Sequence, residues 1–252
     1  MRYLYRIYQL FFAFPVIILY TIFTALIVVI GCTIGSGHFW GYYPGKWWAW
    51  LIVRVLLLPV TVEGRENLVK GQSYVFVSNH QGAFDIFLIY GFLGRNFKWM
   101  MKRQLRNVPF VGIACQAAHH IFVDKRGPSK IKETYDKARE TLRDGMSLVV
   151  FPEGARTFSG HMGVFLRGAF MLADELQLPV VPLTINGSFD VMPRTRDCKW
   201  AVWHPLRLTI HRPIPPKGKG LEYEKQTMDE AYRTVMSGLE PEYQGFVENP
   251  DQ

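Results

Sequence analysis

The stretch SYVFVSNHQGAFDIFLIYGFL, residues 73–93, decides how the rest of the chain is read. Its first five residues are aromatic and β-branched, as in a buried strand, and Ile86 to Leu93 is apolar enough for a packed helix. Between them stand an imidazole, His80, and a carboxylate, Asp85, five positions apart. In open α/β sheets, ligands bind beyond the carboxyl ends of strands, so a His and an Asp at a strand-to-helix corner are placed for chemistry. The alternative is a plain one: Asp85 caps the helix and Asn79 makes the turn.

Similar alternation extends on both sides. Further short apolar runs at 97–101, 120–123, 147–151, 180–185 and 206–211 read as strands, and 110–118, 130–143, 166–177 and 226–238 as helices. This is the pattern of β-α-β units, so the expected fold is α/β, with a mixed, largely parallel sheet flanked by helices. The mixed charge of residues 130–143 belongs to a solvated helix. The tail after Glu240 is short and polar and is expected to be loosely held.

Residues 1–62 differ in kind. No Lys, Arg, Asp or Glu occurs from Ile7 to Gly45, and Leu10 to Ile34 gives 25 mostly apolar residues, enough to cross a hydrocarbon core of roughly 30 Å. That run exceeds the core of a cleaved signal, so it is expected to remain in place. After a Gly- and aromatic-rich break at 37–43, the run Lys46 to Val62 is apolar again and headed by Trp47, Trp48 and Trp50, residues that favour the headgroup level. A single span would place Lys46 and Arg54 opposite Arg2 and Arg6. A membrane-associated helical hairpin on or through one face fits the charges better, with a division at 1–62 for the anchor and 63–252 for the α/β domain. Hydropathy does not separate re-entry from two crossings.

The composition agrees. The chain of 252 residues is 49% hydrophobic and 20% charged, with a formal net charge of +8. Half of that excess comes from Arg2, Arg6, Lys46 and Arg54, with no acidic residue before Glu63. Basic residues within an apolar segment suit anionic lipid and not nucleic acid, which is not expected as a partner. Cys32, Cys115 and Cys198 show no ligand or disulfide spacing, which points to a reducing, cytoplasm-facing body with packing cysteines. No metal site is expected.

A second strand-end loop, Phe151-Pro-Glu-Gly-Ala-Arg-Thr157, carries Glu153, Gly154 and Arg156. Glycine allows close backbone approach and arginine offers a fork suited to phosphate. A solvated turn is the competing reading. Arg95 to Arg106 holds five basic residues and no acid, among them Lys102 and Arg103, either for general adhesion to a membrane surface or for one anionic headgroup.

Together these stretches resemble the glycerolipid acyltransferase family, most closely the 1-acylglycerol-3-phosphate acyltransferases that make phosphatidic acid. Asn79, His80 and Asp85 match its Asn-His-x4-Asp block. Arg126 in IFVDKRG, with KRQLRNVPFVG before it, matches the second. Phe151, Pro152, Glu153, Gly154 and Arg156 match the third, with Ala155 and Thr157 standing where the family has Thr and Ser. VVPLTINGS from Val180 matches the fourth. The likeness spans roughly Glu63 to Arg212.

The resemblance implies that His80 is the general base and Asp85 its orienter in acyl transfer to the sn-2 hydroxyl of lysophosphatidic acid. Glu153, Gly154 and Arg156, helped by Arg126, Lys102 and Arg103, would hold the glycerol phosphate. The donor would be a thioester, acyl-CoA or acyl-carrier protein, with no cofactor, and backbone amides near Gly82 would face the developing oxyanion. The implied location is the inner or cytoplasmic membrane, with the membrane lipid itself as partner. Another lysolipid acceptor, a lipid hydrolase, and a non-catalytic basic binding module remain the alternatives.

Overall fold

A computed structural model describes residues 2–124, 126–143, 146–195 and 200–247. Seven strands form one sheet: β1 (Val60–Glu63), β2 (Val75–Ser78), β3 (Phe97–Lys102), β4 (Ile121–Val123), β5 (Ser147–Val150), β6 (Val180–Asn186) and β7 (Leu206–Ile210). Their order is β1-β7-β6-β2-β5-β3-β4, and every neighbouring pair is parallel except β6 and β7. The largely parallel sheet expected from the sequence is therefore present, with all six expected strands.

The helices are α1 (Arg2–Ile34), α2 (Tyr43–Val55), α3 (Phe84–Phe92), α4 (Val111–Ala117), α5 (Pro128–Arg143), α6 (Gly168–Leu176) and α7 (Leu221–Ser237). In the central strands both faces are covered, which is why their sequences are continuously apolar instead of alternating. Tyr74 and Phe76 of the β2 region join the core beneath α2 and α3, whereas Val75 and Val77 join the one beneath α5, α6 and α7. The chain thus leaves β2 through α3 on one face and leaves β5 through α6 on the other. Between those two strands the connections diverge, the arrangement that in open α/β sheets leaves room for a ligand at the carboxyl ends.

The amino-terminal hairpin is built into this body. Ala49, Ile52 and Val53 of α2 share the core with Phe76 and Leu88. A Cβ on Gly91 would lie 2.9 Å from the Trp50 backbone nitrogen, so only glycine lets α2 and α3 approach this closely. Helix α1 runs antiparallel to α2. The Tyr5 and Tyr8 hydroxyls donate to the Leu56 and Val55 carbonyls at 2.6 and 2.7 Å, and Trp48 Nε1 donates to Thr21. Near its start α1 contains a π-helical turn, Gln9–Ala13. There the buried Gln9 amide pairs both ways with the Ala201 backbone, donating at 2.8 Å and accepting at 3.0 Å.

One expectation needs correction. The run Lys46 to Val62 is not one helix: α2 stops at Val55, Leu57 takes a left-handed conformation, and Val60–Glu63 is an edge strand paired with β7. The division at 62/63 therefore falls inside β1. Periodicity concealed the break because an apolar strand following an apolar helix continues the same hydrophobic run. At 13 residues α2 is about 20 Å long, too short to cross a bilayer core. Among the described residues only α1 is long and apolar enough to do so, with Leu19, Phe23, Leu26 and Ile30 exposed along it. The described part of the tail, residues 241–247, is also more firmly held than expected, since Tyr243 is buried and its hydroxyl donates to Asp190 at 3.0 Å. Cys198 lies outside the described residues, whereas Cys32 and Cys115 are free thiols, as expected.

An open apolar groove of about 410 Å³ separates α1 from α4 and is floored by Trp48, Tyr90, Cys115 and His120. His120 Nδ1 accepts the Trp99 N–H at 3.2 Å, and burial, reinforced by nearby Lys98, pushes its pKa down to about 3.

Two outcomes follow from these contacts. Gln9→Leu strands the buried Ala201 backbone groups and is expected to cost about 2–4 kcal/mol, read as a lower thermal midpoint in detergent. His120 is neutral when folded but protonates near pH 6.5 when unfolded, so the unfolded state binds more protons as pH falls. Stability should then drop below pH ~6.5 by up to about 1.4 kcal/mol per pH unit, a dependence that His120→Gln should reduce in melts from pH 7 to 5.

Candidate active site

Strand β2 ends at Ser78, and the next side chain continues its pairing. Asn79 is fully buried, donates Nδ2 to the Ile185 carbonyl at 2.9 Å and accepts the Ile185 N–H at 2.8 Å. An amide side chain here replaces a peptide unit of the ladder to β6. Asn79 thus fixes where the loop leaves the sheet.

His80 follows, and the β5 loop grips its peptide on both sides. Its N–H donates to Glu153 Oε1 at 2.7 Å, and its carbonyl accepts the Thr157 N–H at 3.0 Å. The imidazole lies flat on Phe151, with centroids 3.9 Å apart and planes 10° from parallel. Nδ1 sits 2.7 Å from Asp85 Oδ2. A carboxylate can only accept there, so Nδ1 carries the proton and Nε2 presents a lone pair. The His80 side chain is 14% exposed while that of Asp85 is fully buried, which keeps the pair dry yet open at the reacting atom.

Asp85 is not the cap of α3. It lies one residue inside the helix, and its Oδ2 also accepts the Gly82 N–H at 2.9 Å. The carboxylate therefore turns back toward the loop, where the helix N-terminus favours negative charge. This geometry corrects one expectation: the Gly82 amide is committed to Asp85 and the Ala83 amide to the Met192 carbonyl at 3.2 Å, so neither is left to meet an oxyanion. Glycine is nevertheless required at 82, because a Cβ would sit 2.3 Å from the Ser188 carbonyl oxygen.

Glu153 is buried, and its second oxygen accepts the Gly163 N–H at 2.7 Å. These two bonds tie the carboxylate to backbone, linking the His80 loop to the turn beyond Gly160. Gln81 reinforces the link through Nε2 to the Gly160 carbonyl at 2.8 Å. Gly154 adopts φ +74°, a left-handed conformation that glycine takes without steric cost. The Arg156 guanidinium has no carboxylate partner among the described residues, and its carbonyl accepts Arg194 Nη1 at 2.7 Å.

The remaining expected residues lie along the same carboxyl edge of the sheet. Lys102 ends β3 and Arg103 follows it, while Arg126 follows β4, two and three strand positions from β2. At about 4.8 Å per strand these are roughly 10 and 14 Å along the edge from the His80 loop. Arg103 and Arg126 converge on Asp124, at 3.3 and 2.7 Å, and the Arg126 fork holds the Asp124 carboxyl down at about 2. Sequence reasoning gave no role to Phe151 as the ring platform or to Arg194. The first signal was present in the quoted Phe151–Thr157 loop, and the second in the basic run MPRTRDCK that follows β6.

Comparison with known proteins places this geometry in a family. The acyltransferase family model matches residues 59–186, from just before β1 to the end of β6. The chain is 31% identical over 175 residues to the 1-acyl-sn-glycerol-3-phosphate acyltransferase LPAT1, chloroplastic, of Arabidopsis thaliana, covering 69% of this chain and 48% of that protein. It is 36% identical over 132 residues to the human 1-acyl-sn-glycerol-3-phosphate acyltransferase alpha, covering 52% and 47%. The chain spans about half the length of the curated relatives it matches. The crystal structure of the 1-acyl-sn-glycerophosphate acyltransferase PlsC from Thermotoga maritima superposes with a TM-score of 0.79 at 26% identity, covering 94% of this chain and 96% of that one. With its family model running through both loops that hold His80, this chain belongs to the acyltransferase family.

Proposed function

We propose that the protein transfers a fatty acyl group from a thioester carrier to the sn-2 hydroxyl of lysophosphatidic acid, giving phosphatidic acid. One observation carries the mechanism: His80 Nδ1 is held 2.7 Å from a buried carboxylate, leaving Nε2 as the base. The acceptor hydroxyl gives its proton to Nε2 while its oxygen bonds to the thioester carbon. The tetrahedral intermediate then collapses, the C–S bond breaks, and the thiolate leaves with the proton returned by the imidazolium. Asp85 stabilises that imidazolium and fixes its tautomer. No acyl-enzyme is needed, and none of the steps calls for a metal.

The positions of the other groups support the same reading. Arg156 brings to the loop that grips His80 a guanidinium with no carboxylate partner among the described residues, where it can hold the acceptor phosphate. Gly154 keeps that loop tight. Lys102, Arg103 and Arg126 lie farther along the edge, and Asp124 already balances part of their charge, so they serve the outer headgroup region or the donor, which is acyl-CoA or acyl-carrier protein. Glu153 acts on the substrate indirectly, by holding the loops together.

Stacked and edge-on rings lead from the base into the apolar groove: His80 on Phe151, Phe151 on Trp99 at 5.6 Å, and Trp99 against Tyr90 at 6.1 Å. An acyl chain lying in that groove would be beside α1, whose exposed Leu19, Phe23, Leu26 and Ile30 suit a bilayer. Withdrawing a lipid tail into water costs about 0.8 kcal/mol per methylene, so a membrane-seated enzyme has reason to keep its groove beside the helix that enters the lipid. The catalytic edge is taken to face the cytoplasm, where thioester donors are made.

The deciding assay supplies purified protein with lysophosphatidic acid and both thioesters. Phosphatidic acid is the expected product, and release of free fatty acid without it would replace the transferase with a hydrolase. Asp85→Asn should preserve the Gly82 bond and most of the stability yet lower kcat on the order of a thousandfold, because the ring loses its charged orienter. Ala114→Phe, which fills the groove, should shift the products toward shorter acyl chains by mass spectrometry.

A further inference from the structure

We infer that Arg194 is a second phosphate-binding residue, which with Arg156 forms a two-arginine clamp for a phosphate monoester headgroup. The inference rests on the acceptor proposed above and adds a residue that lies beyond the matched family model, which ends at residue 186.

Arg194 belongs to a segment that touches both site loops. It follows β6 through the short helix Ser188–Val191. Ser188 packs against Gly82 so closely that no Cβ fits there, and the Met192 carbonyl accepts the Ala83 N–H. Two residues later Arg194 reaches the other loop and donates Nη1 to the Arg156 carbonyl at 2.7 Å. The segment is a third wall of the site, against the His80 loop at one end and the Arg156 loop at the other.

Among the described residues the charge on that wall has no carboxylate counterpart: none pairs with either Arg194 or Arg156, while Arg103, Arg126, Arg139, Arg167 and Arg207 each have one. The Arg194 guanidinium lies on the Phe158 ring, 4.1 Å from its centroid. That contact uses its face, and the Arg156 carbonyl takes one of its five N–H groups, so the donor edge is only partly committed. Stacking also removes rotamer freedom, which makes the fork ready for a planar, bidentate contact. The Arg194 guanidinium is thus held against the main chain of the residue that carries the second arginine side chain, and a phosphate monoester, carrying nearly two negative charges, matches two arginines on adjoining walls. A diester or a zwitterionic headgroup would not.

Kinetics of the full chain in zwitterionic detergent test this, with wild type, Arg194→Gln and Arg194→Lys compared at saturating thioester, using whichever carrier supports wild-type turnover. Arg194→Gln is expected to raise KM for lysophosphatidic acid about ten- to a hundredfold, with kcat and the donor KM nearly unchanged. Arg194→Lys should recover part of that loss, since it restores charge without the fork. If Arg194→Gln instead lowers kcat and the thermal midpoint while leaving KM for lysophosphatidic acid alone, Arg194 is only a staple for the Arg156 loop and the inference is overturned. An unchanged KM with full activity overturns it equally. A wild-type protein that makes no phosphatidic acid removes the acyl-transfer reading as well, so the two failures are distinguished by the wild-type control.

Discussion

The Glu153 carboxylate holds the site in one piece. Burying a charge is costly unless its oxygens are satisfied, and here the backbone N–H groups of His80 and Gly163 satisfy them from opposite sides. Because the donors come from two loops, the carboxylate is stable only when both loops are in place, and the loops are correctly spaced only around it. The His80 peptide is then clamped by Glu153 through its N–H and by Thr157 through its carbonyl. The side chain can be oriented by a single partner, Asp85, because its backbone has no freedom left. Positioning of this kind is worth several kcal/mol to a reaction between two bound substrates.

The sheet supplies the reason why two loops meet at all. β2 and β5 are neighbours and parallel, so residues that follow them emerge side by side, although 73 positions separate His80 from Glu153. The helices that follow depart to opposite faces and leave the edge between them uncovered. Asn79 places the turn by extending the β2–β6 ladder with its own side chain. In this chain it is the scaffold to which the neighbouring His80 is attached.

Much of this was legible in the sequence because parallel strands buried on both faces are written as plain apolar runs, and such runs stopping at Ser78 and Val150 mark where the chemistry sits. The His80–Asp85 pair could be anticipated from spacing, as could the family from its blocks. What could not be read was which atoms would be left over. Spacing does not reveal that the Gly82 amide would be taken by Asp85, or that Glu153 would bind the backbone of His80 and Gly163. Nor does it reveal that Asp124 would draw Arg126 and Arg103 together. Those outcomes depend on three-dimensional pairing across strands. The break between α2 and β1 was hidden for a simpler reason, since hydrophobicity alone does not distinguish an edge strand from the helix before it.

The π-helical turn at Gln9–Ala13 does more than bring Gln9 to Ala201. An α-helix advances about 100° per residue, so exposed Leu4 and Ile7 near the start of α1 and exposed Leu19, Phe23, Leu26 and Ile30 farther along would face directions about a third of a turn apart on a regular helix. One wider turn between them takes up about one residue of rotation and brings the two sets into line. The turn acts as a phase correction. It allows a single helix to keep its tyrosine hydroxyls on the protein and an apolar stripe on the other side, so that the register of five residues decides which way that stripe faces relative to the body.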